Sequence, residues 1–205
     1  MEYICEASED EMVLLFLQTE IKSTRFRGRI LKAIKQLNTQ ESIITEPNLD
    51  SAEENEMRKR ILSIFRGYGR NAEIFEGLPE DIRWVWVNLT RGELEMVRYI
   101  EYSYWNELSA GSRLAKDAAV NIRKGMEIFG VKNDGFIAGS KYLVEGGSFP
   151  PMIFLTDNDN KHLVALEGHL RLTAYMLEPD FIPDKLRTMI GYVARGEFIR
   201  WACID

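Results

Sequence analysis

Leu163-Val164-Ala165-Leu166-Glu167-Gly168-His169-Leu170-Arg171-Leu172-Thr173-Ala174-Tyr175 is the stretch on which the reading of this chain turns. An apolar run of strand length meets a glycine, and a helical pattern begins directly after it. Glycine lets the backbone bend sharply and approach a ligand closely. The first N–H groups of a helix have no partner within it, and the helix dipole favours negative charge at that end. His169 and Arg171 add side-chain donors in the same turn. The pattern points to a phosphate or nucleotide site.

Outward from this stretch, Met152-Ile153-Phe154-Leu155-Thr156 comes after Pro150-Pro151 and has strand length. Asp157-Asn158-Asp159-Asn160 separates it from the run that starts at His162, a spacing that predicts a β-hairpin, because Asn and Asp tolerate turn conformations. Asp157 and Asp159 offer oxygen ligands to a hard cation, but no glycine or distal Glu completes a calcium loop, so a plain turn is expected. A helix over Gly168 to about Leu177 is closed by Pro179 and Pro183, and Leu186 to Val193 supplies a further strand.

Upstream, Trp84 to Leu89 is rich in β-formers and predicts a strand. Thr90 caps a helix that carries Leu94 and Val97, with Glu93 in capping-box position. Tyr99-Ile100-Glu101-Tyr102-Ser103-Tyr104-Trp105 is dense in aromatics, suited either to stacking a base or to the core with its polar tips satisfied. Ala115 to Phe129 has helical spacing.

The front of the chain reads as helices: Glu9 to Ser23 behind Ser8 as N-cap, Phe26 to Leu37, a loop over 38–50, and a helix from Ser51, with Glu54 in capping-box register, to the breakers Gly67 and Gly69. Lys22, Arg25, Arg27, Arg29, Lys32 and Lys35 make a basic stretch, read either as a nucleic-acid or acidic-partner surface or as a solvated helix face.

Composition bounds the classes. The 205 residues are 45% apolar and 28% charged, as in an ordinary globular protein. The formal net charge of −6 means that any nucleic-acid contact is local rather than driven by bulk attraction. Cys5 and Cys203 form no metal-type pair, and with His162 and His169 the only histidines a Cys/His zinc site is not expected. The early acids Glu6, Glu9, Asp10 and Glu11 do not suit a signal peptide, and no apolar stretch has the length of a membrane span. A cytoplasmic setting is the expectation.

From Ser112 onward the segments resemble the ParB/sulfiredoxin superfamily. The resemblance rests on Gly111-Ser112-Arg113-Leu114 with the helix after it, on Pro150 to Leu155, and on Leu166-Glu167-Gly168-His169-Leu170-Arg171. It implies an α+β domain over 78–205, a small mixed sheet with packed helices, preceded by a helical extension over 1–77. It implies a nucleotide ligand of ATP or CTP type, with Mg²⁺ where chemistry occurs. Gly168, Arg171, Thr173, Ser112 and Arg113 would contact the ligand, Ser112 and Arg113 facing the Gly168 bend from a second loop. Asn106, Glu107 and Ser109 are weaker candidates for the same pocket.

Glu167 and His169 are the candidates for proton transfer, in phosphoryl transfer or nucleotide hydrolysis. Each of these residues also has a plain structural reading: a surface Arg171, a capping His169, a dipole-stabilising Glu167, a packed Thr173.

The departures narrow the expectation. Sulfiredoxins carry a reactive cysteine where this chain has His169, so sulfinic acid repair is not expected. ParB partition proteins have Glu-Arg-Arg after the glycine and a helix-turn-helix DNA reader beyond the domain. Neither is read here, so chromosome partitioning is not expected either. The Glu-Gly-His-x-Arg form is similar to less characterised members, some resembling kinases of small molecules. The competing readings are a non-catalytic partner- or DNA-binding component of a phage, plasmid or toxin system, and a ParB-like nuclease.

Overall fold

The computed structural model describes residues 1–159 and 162–204, which form a mixed α+β protein. Among these residues, contacts divide the chain into two compact units: Met1–Glu6 with Val85 onward, and Ala7–Trp84. No helix is long and apolar enough to cross a membrane.

The sheet unit starts with β1 (Glu2–Ala7), where the residue pattern predicts only the front of a helical extension. All but the last of its residues are exposed, so no buried face marks it as a strand. It lies at the edge of a six-stranded sheet of order β1-β2-β6-β4-β5-β3. The other strands are β2 (Arg83–Leu89), β3 (Val97–Arg98), β4 (Ile153–Asp157), β5 (Leu163–Glu167) and β6 (Leu186–Val193).

β4 and β5 are the expected antiparallel hairpin, and β4 runs parallel to β6. Asn160 of the expected turn lies outside the described residues. Every residue of β4 and β5 is buried, as expected of strands hydrogen-bonded on both sides and covered by helices.

The helices of the helical unit are α1 (Glu9–Glu20), α2 (Arg27–Gln36), α3 (Ser42–Thr45) and α4 (Ala52–Arg66). Those of the sheet unit are α5 (Arg91–Leu94), α6 (Ser103–Leu108), α7 (Ala115–Arg123), α8 (Asp134–Val144), α9 (His169–Leu177) and α10 (Arg195–Ala202). α9 packs against both α7 and α8. The sheet unit's apolar core gathers Val87, Leu94, Tyr99, Ala118, Phe154, Ala165, Leu172 and Ile190.

α7 stops at Arg123, short of the expected Phe129, because Gly125 turns left-handed (φ +76°) and its N–H returns to the Ile122 carbonyl.

In the helical unit, Ser8 and Glu11 close a capping box on α1. Ser51 caps α4 through the Glu54 N–H, but the Glu54 carboxylate accepts from the Asn48 N–H and from Arg58 instead of closing a box. Arg58 is fully buried and donates to the Ile43 and Asn48 carbonyls and to the Glu54 and Asn55 side chains. It thereby holds the segment expected as a loop, within which α3 forms.

Candidate functional site

Strand pairing decides which residues meet at Gly168. The parallel register of β3 with β5 (Val97 beside Leu163) carries Tyr99 towards the end of the sheet where β5 runs into Glu167. The antiparallel register of β4 with β5 (Ile153 beside Glu167) brings Pro150, Pro151 and Met152 to that end as well. A β-bulge sits there, since Ile153 pairs with Glu167 but Phe154 with Ala165.

Gly168 is left-handed, with φ +103° and ψ 17°, and stands as N-cap of α9. A Cβ on it would lie 2.5 Å from Met152 Cγ and 3.2 Å from Arg171 Nη2. Both conformation and space therefore require glycine here. The inner side of the bend is filled by the Met152 side chain, which is itself buried.

The charged residues beside the bend are paired with one another. Arg171 Nη2 donates to Glu167 Oε2, and Nη1 donates to the Pro150 and Pro151 carbonyls at 2.8 Å each. Both side chains are buried, at 7% exposure. The expectation from sequence is Arg171 on the ligand and Glu167 in proton transfer. The geometry instead gives Arg171 a clamp on the Pro150–Pro151 segment and gives Glu167 its counter-charge. The donor set does not fit a magnesium site: its one carboxylate is held by Arg171, and among the described residues no three His, Cys, Asp or Glu converge.

His169 stands on the other side of α9, half-buried, its imidazole stacked on the Trp105 indole (centroids 5.2 Å apart, 15° between planes). Trp105 stacks in turn on Tyr99 at 4.4 Å. The Tyr99 hydroxyl meets Thr173 Oγ1 at 2.6 Å, and Thr173 Oγ1 donates to the His169 carbonyl at 2.7 Å. Thr173, expected to touch the ligand, is fully buried, and its hydroxyl joins α9 to Tyr99. Burial raises the Tyr99 phenol well above its ordinary pKa, against the opposing effect of the Thr173 hydrogen bond.

Ser112 and Arg113, expected to contact the ligand while facing the Gly168 bend, are engaged in their own loop and with Tyr99. Ser112 Oγ donates to the Ser109 carbonyl and accepts from the Leu114 N–H, closing a turn. Arg113 donates to the Tyr99 carbonyl from Nε and Nη2, and from Nη1 to Glu101 and to the Ala202 and Cys203 carbonyls at the end of α10. Its burial pulls the guanidinium pKa below the usual arginine value. Arg113 bears on α9 only by fixing Tyr99. Of the weaker candidates, Ser109 receives the Arg113 N–H, and Asn106 donates to Glu101. Both belong to this scaffold.

What is left for a ligand is the opening turn of α9. Its N-cap makes no side-chain hydrogen bond, and the turn contains no acid. Leu170 is 43% exposed, so that turn reaches the surface. Tyr99, Trp105, Met152 and the two proline carbonyls are neighbours of the bend and of α9 that the sequence pattern does not place there. The aromatic density and the Pro-Pro pair are signals, but only the strand register joins them to α9. The chain matches no family model, no curated protein and no solved structure.

Proposed function

We propose that the chain binds a phosphate-bearing small ligand of nucleotide type at the first turn of α9. One observation carries this reading: a nine-residue helix begins at a left-handed glycine, with no side-chain cap, no acid in its first turn and an exposed second residue. Uncapped amides at the positive end of a helix dipole are an anion site.

The residues around that turn take distinct roles. The amides of His169 and Leu170 would hold the phosphate, with the His169 ring beside it. Arg171 and Glu167 set the bend from below, and the Tyr99–Trp105 stack fixes His169 from the side. The proposed role is binding. With Glu167 paired to Arg171, no side chain is assigned as a general base.

Thermal unfolding with ATP, CTP, GTP and ADP, each with and without Mg²⁺, tests it. A ligand at 100 times its Kd stabilises by about 2.7 kcal/mol, an upward shift of several degrees in a domain of this size. Leu170→Asp places a carboxylate in the first turn at an exposed position, and is expected to abolish the shift while the unliganded protein still folds. Absence of any shift at millimolar nucleotide would refute the reading.

A further inference from the structure

Within the helical unit, charge is sorted into two consecutive blocks. The twenty residues from Ile21 to Gln40 contain six bases and no acid, and the sixteen from Glu41 to Glu56 contain six acids and no base. α2 lies in the first block, and α3 and the start of α4 lie in the second. Among the described residues one ion pair, Arg27–Glu41, joins the blocks. Arg29 is taken by Glu73, and Glu54 by Arg58. That leaves Lys22, Arg25, Lys32 and Lys35 in the first block and Glu46, Asp50, Glu53 and Glu56 in the second. All eight are exposed, and none makes a salt bridge among the described residues.

The fold keeps the two sets apart within one chain. α2 meets α4 near Phe65, whose carbonyl accepts from Arg29 and whose ring packs edge-on against Phe26. Glu56 and Glu53 stand nine and twelve residues before Phe65, about 13 and 18 Å along the axis of α4. The acids at the start of α4 are therefore remote from this crossing.

The sets also match in spacing. Lys32 and Lys35 are three residues apart on α2, and Glu53 and Glu56 are three apart on α4. Each pair projects from one side of its helix, about 4.5 Å apart along the axis. Leu49 lies between Glu46 and Asp50 and is 38% exposed, which adds an apolar contact to the acidic set.

We propose that the helical unit binds a second copy of this chain, the cations of one copy against the carboxylates of the other. Charge complementarity selects this occupant, because each unpaired set finds its opposite, equal in number, on another copy. A nucleic acid or an anionic bilayer would meet the cations but also the uncompensated acids of the same unit, in a chain of net charge −6. At about 0.1 M salt the screening length is about 10 Å, so the net repulsion between copies is damped while charges in contact still attract. Exposed ion pairs are individually weak, which makes the association reversible and concentration-dependent. Both sets lie within residues 7–84, and the α9 site takes no part.

Sedimentation equilibrium of the full chain at submillimolar concentration tests it. In about 0.1 M NaCl the average mass should exceed the 23.7 kDa of one chain, and in about 1 M NaCl, where the screening length is about 3 Å, it should return to that value. Lys32→Glu with Lys35→Glu, or Glu53→Lys with Glu56→Lys, should each weaken self-association at least about tenfold, because like charges then face each other. An equimolar mixture of the two reversed proteins should associate again, since each supplies the complement of the other. Circular dichroism checks that both are folded. Should a reversed protein not fold, Gln at the same two positions is read for the same loss. A chain that stays at monomer mass in about 0.1 M NaCl overturns the proposal, including when a labelled polyglutamate peptide or nucleic acid binds the cations instead. So does association that survives about 1 M NaCl or either reversal, or a mixture that stays monomeric.

Discussion

Arg171, in the first turn of α9, reaches back across the Gly168 bend to Glu167 at the end of β5, and the two side chains are buried together. Arg171 also closes the carbonyls of Pro150 and Pro151, so one guanidinium ties the hairpin's leading segment to the strand–helix junction. Removing it leaves a buried carboxylate and two carbonyls without their donor. Arg171→Leu is therefore expected to lower stability by about 3–5 kcal/mol, read from urea unfolding midpoints. A change under about 1 kcal/mol would mean that the clamp contributes little and that Arg171 is available to a ligand.

Gly168→Ala combines a left-handed backbone with a Cβ overlapping Met152. The conformational part costs about 1–2 kcal/mol and the overlap about 1–3 more. Met152→Ala removes the Cγ that the new Cβ would meet at 2.5 Å but keeps its own Cβ at 2.9 Å, so the double variant Gly168→Ala with Met152→Ala should lose less than the sum of the two single losses. Denaturant unfolding of the unaltered protein, the two single variants and the double variant measures this directly.

Alkaline pH reports on the burial of Tyr99. Burial raises the Tyr99 phenol in the folded state above its unfolded value near 10. Between the two values the unfolded chain has lost the proton that the folded chain retains, so stability falls as pH rises. The contribution is whole below about pH 10 and declines above it by up to about 1.4 kcal/mol per pH unit. Tyr175, raised chiefly by burial, and Tyr68, raised by burial and by Glu9, add slopes of the same sign. Tyr99→Phe should flatten the profile between about pH 9.5 and 11 relative to the unaltered protein. Parallel profiles would contradict a buried, protonated Tyr99.

Much of the fold is legible in the sequence where a local signal and the tertiary environment agree. β2, the β4–β5 hairpin, β6, the Ser8 N-cap and the Thr90 capping box come from residue type and spacing alone. α8 is not legible, because Gly135 and Gly139 weaken its helical signal. The glycine at 139 answers to packing, since a Cβ there would lie 3.1 Å from that of Ala174. β1 is hidden for the opposite reason, being an edge strand without a buried face. In the site, the glycine bend and the helix after it are legible. The proline carbonyls that Arg171 meets, and the Tyr99 that Arg113 and Thr173 meet, are not, because they come from other segments brought there by strand register. A lone basic residue beside a glycine reads the same whether it meets phosphate or a carbonyl.

Arg58 gives a prediction for the helical unit. Fully buried and donating to four separate groups, it is expected to cost about 2–5 kcal/mol when replaced by Met, which leaves the Ile43 and Asn48 carbonyls without their donor while Glu54 keeps the Asn48 N–H. Arg60→Ala, two residues on and exposed, should stay within about 0.5 kcal/mol. Equal effects from the two would contradict the buried network.

The most direct test of the α9 site is backbone amide NMR of the ¹⁵N-labelled protein titrated with ATP and, separately, inorganic phosphate. The expected result is saturable shift changes that are largest at the amides of Gly168, His169 and Leu170, shared by both titrants and lost in Leu170→Asp. If those amides stay unmoved at millimolar titrant, or if the changes lie elsewhere in the chain, the first turn of α9 is not a phosphate site.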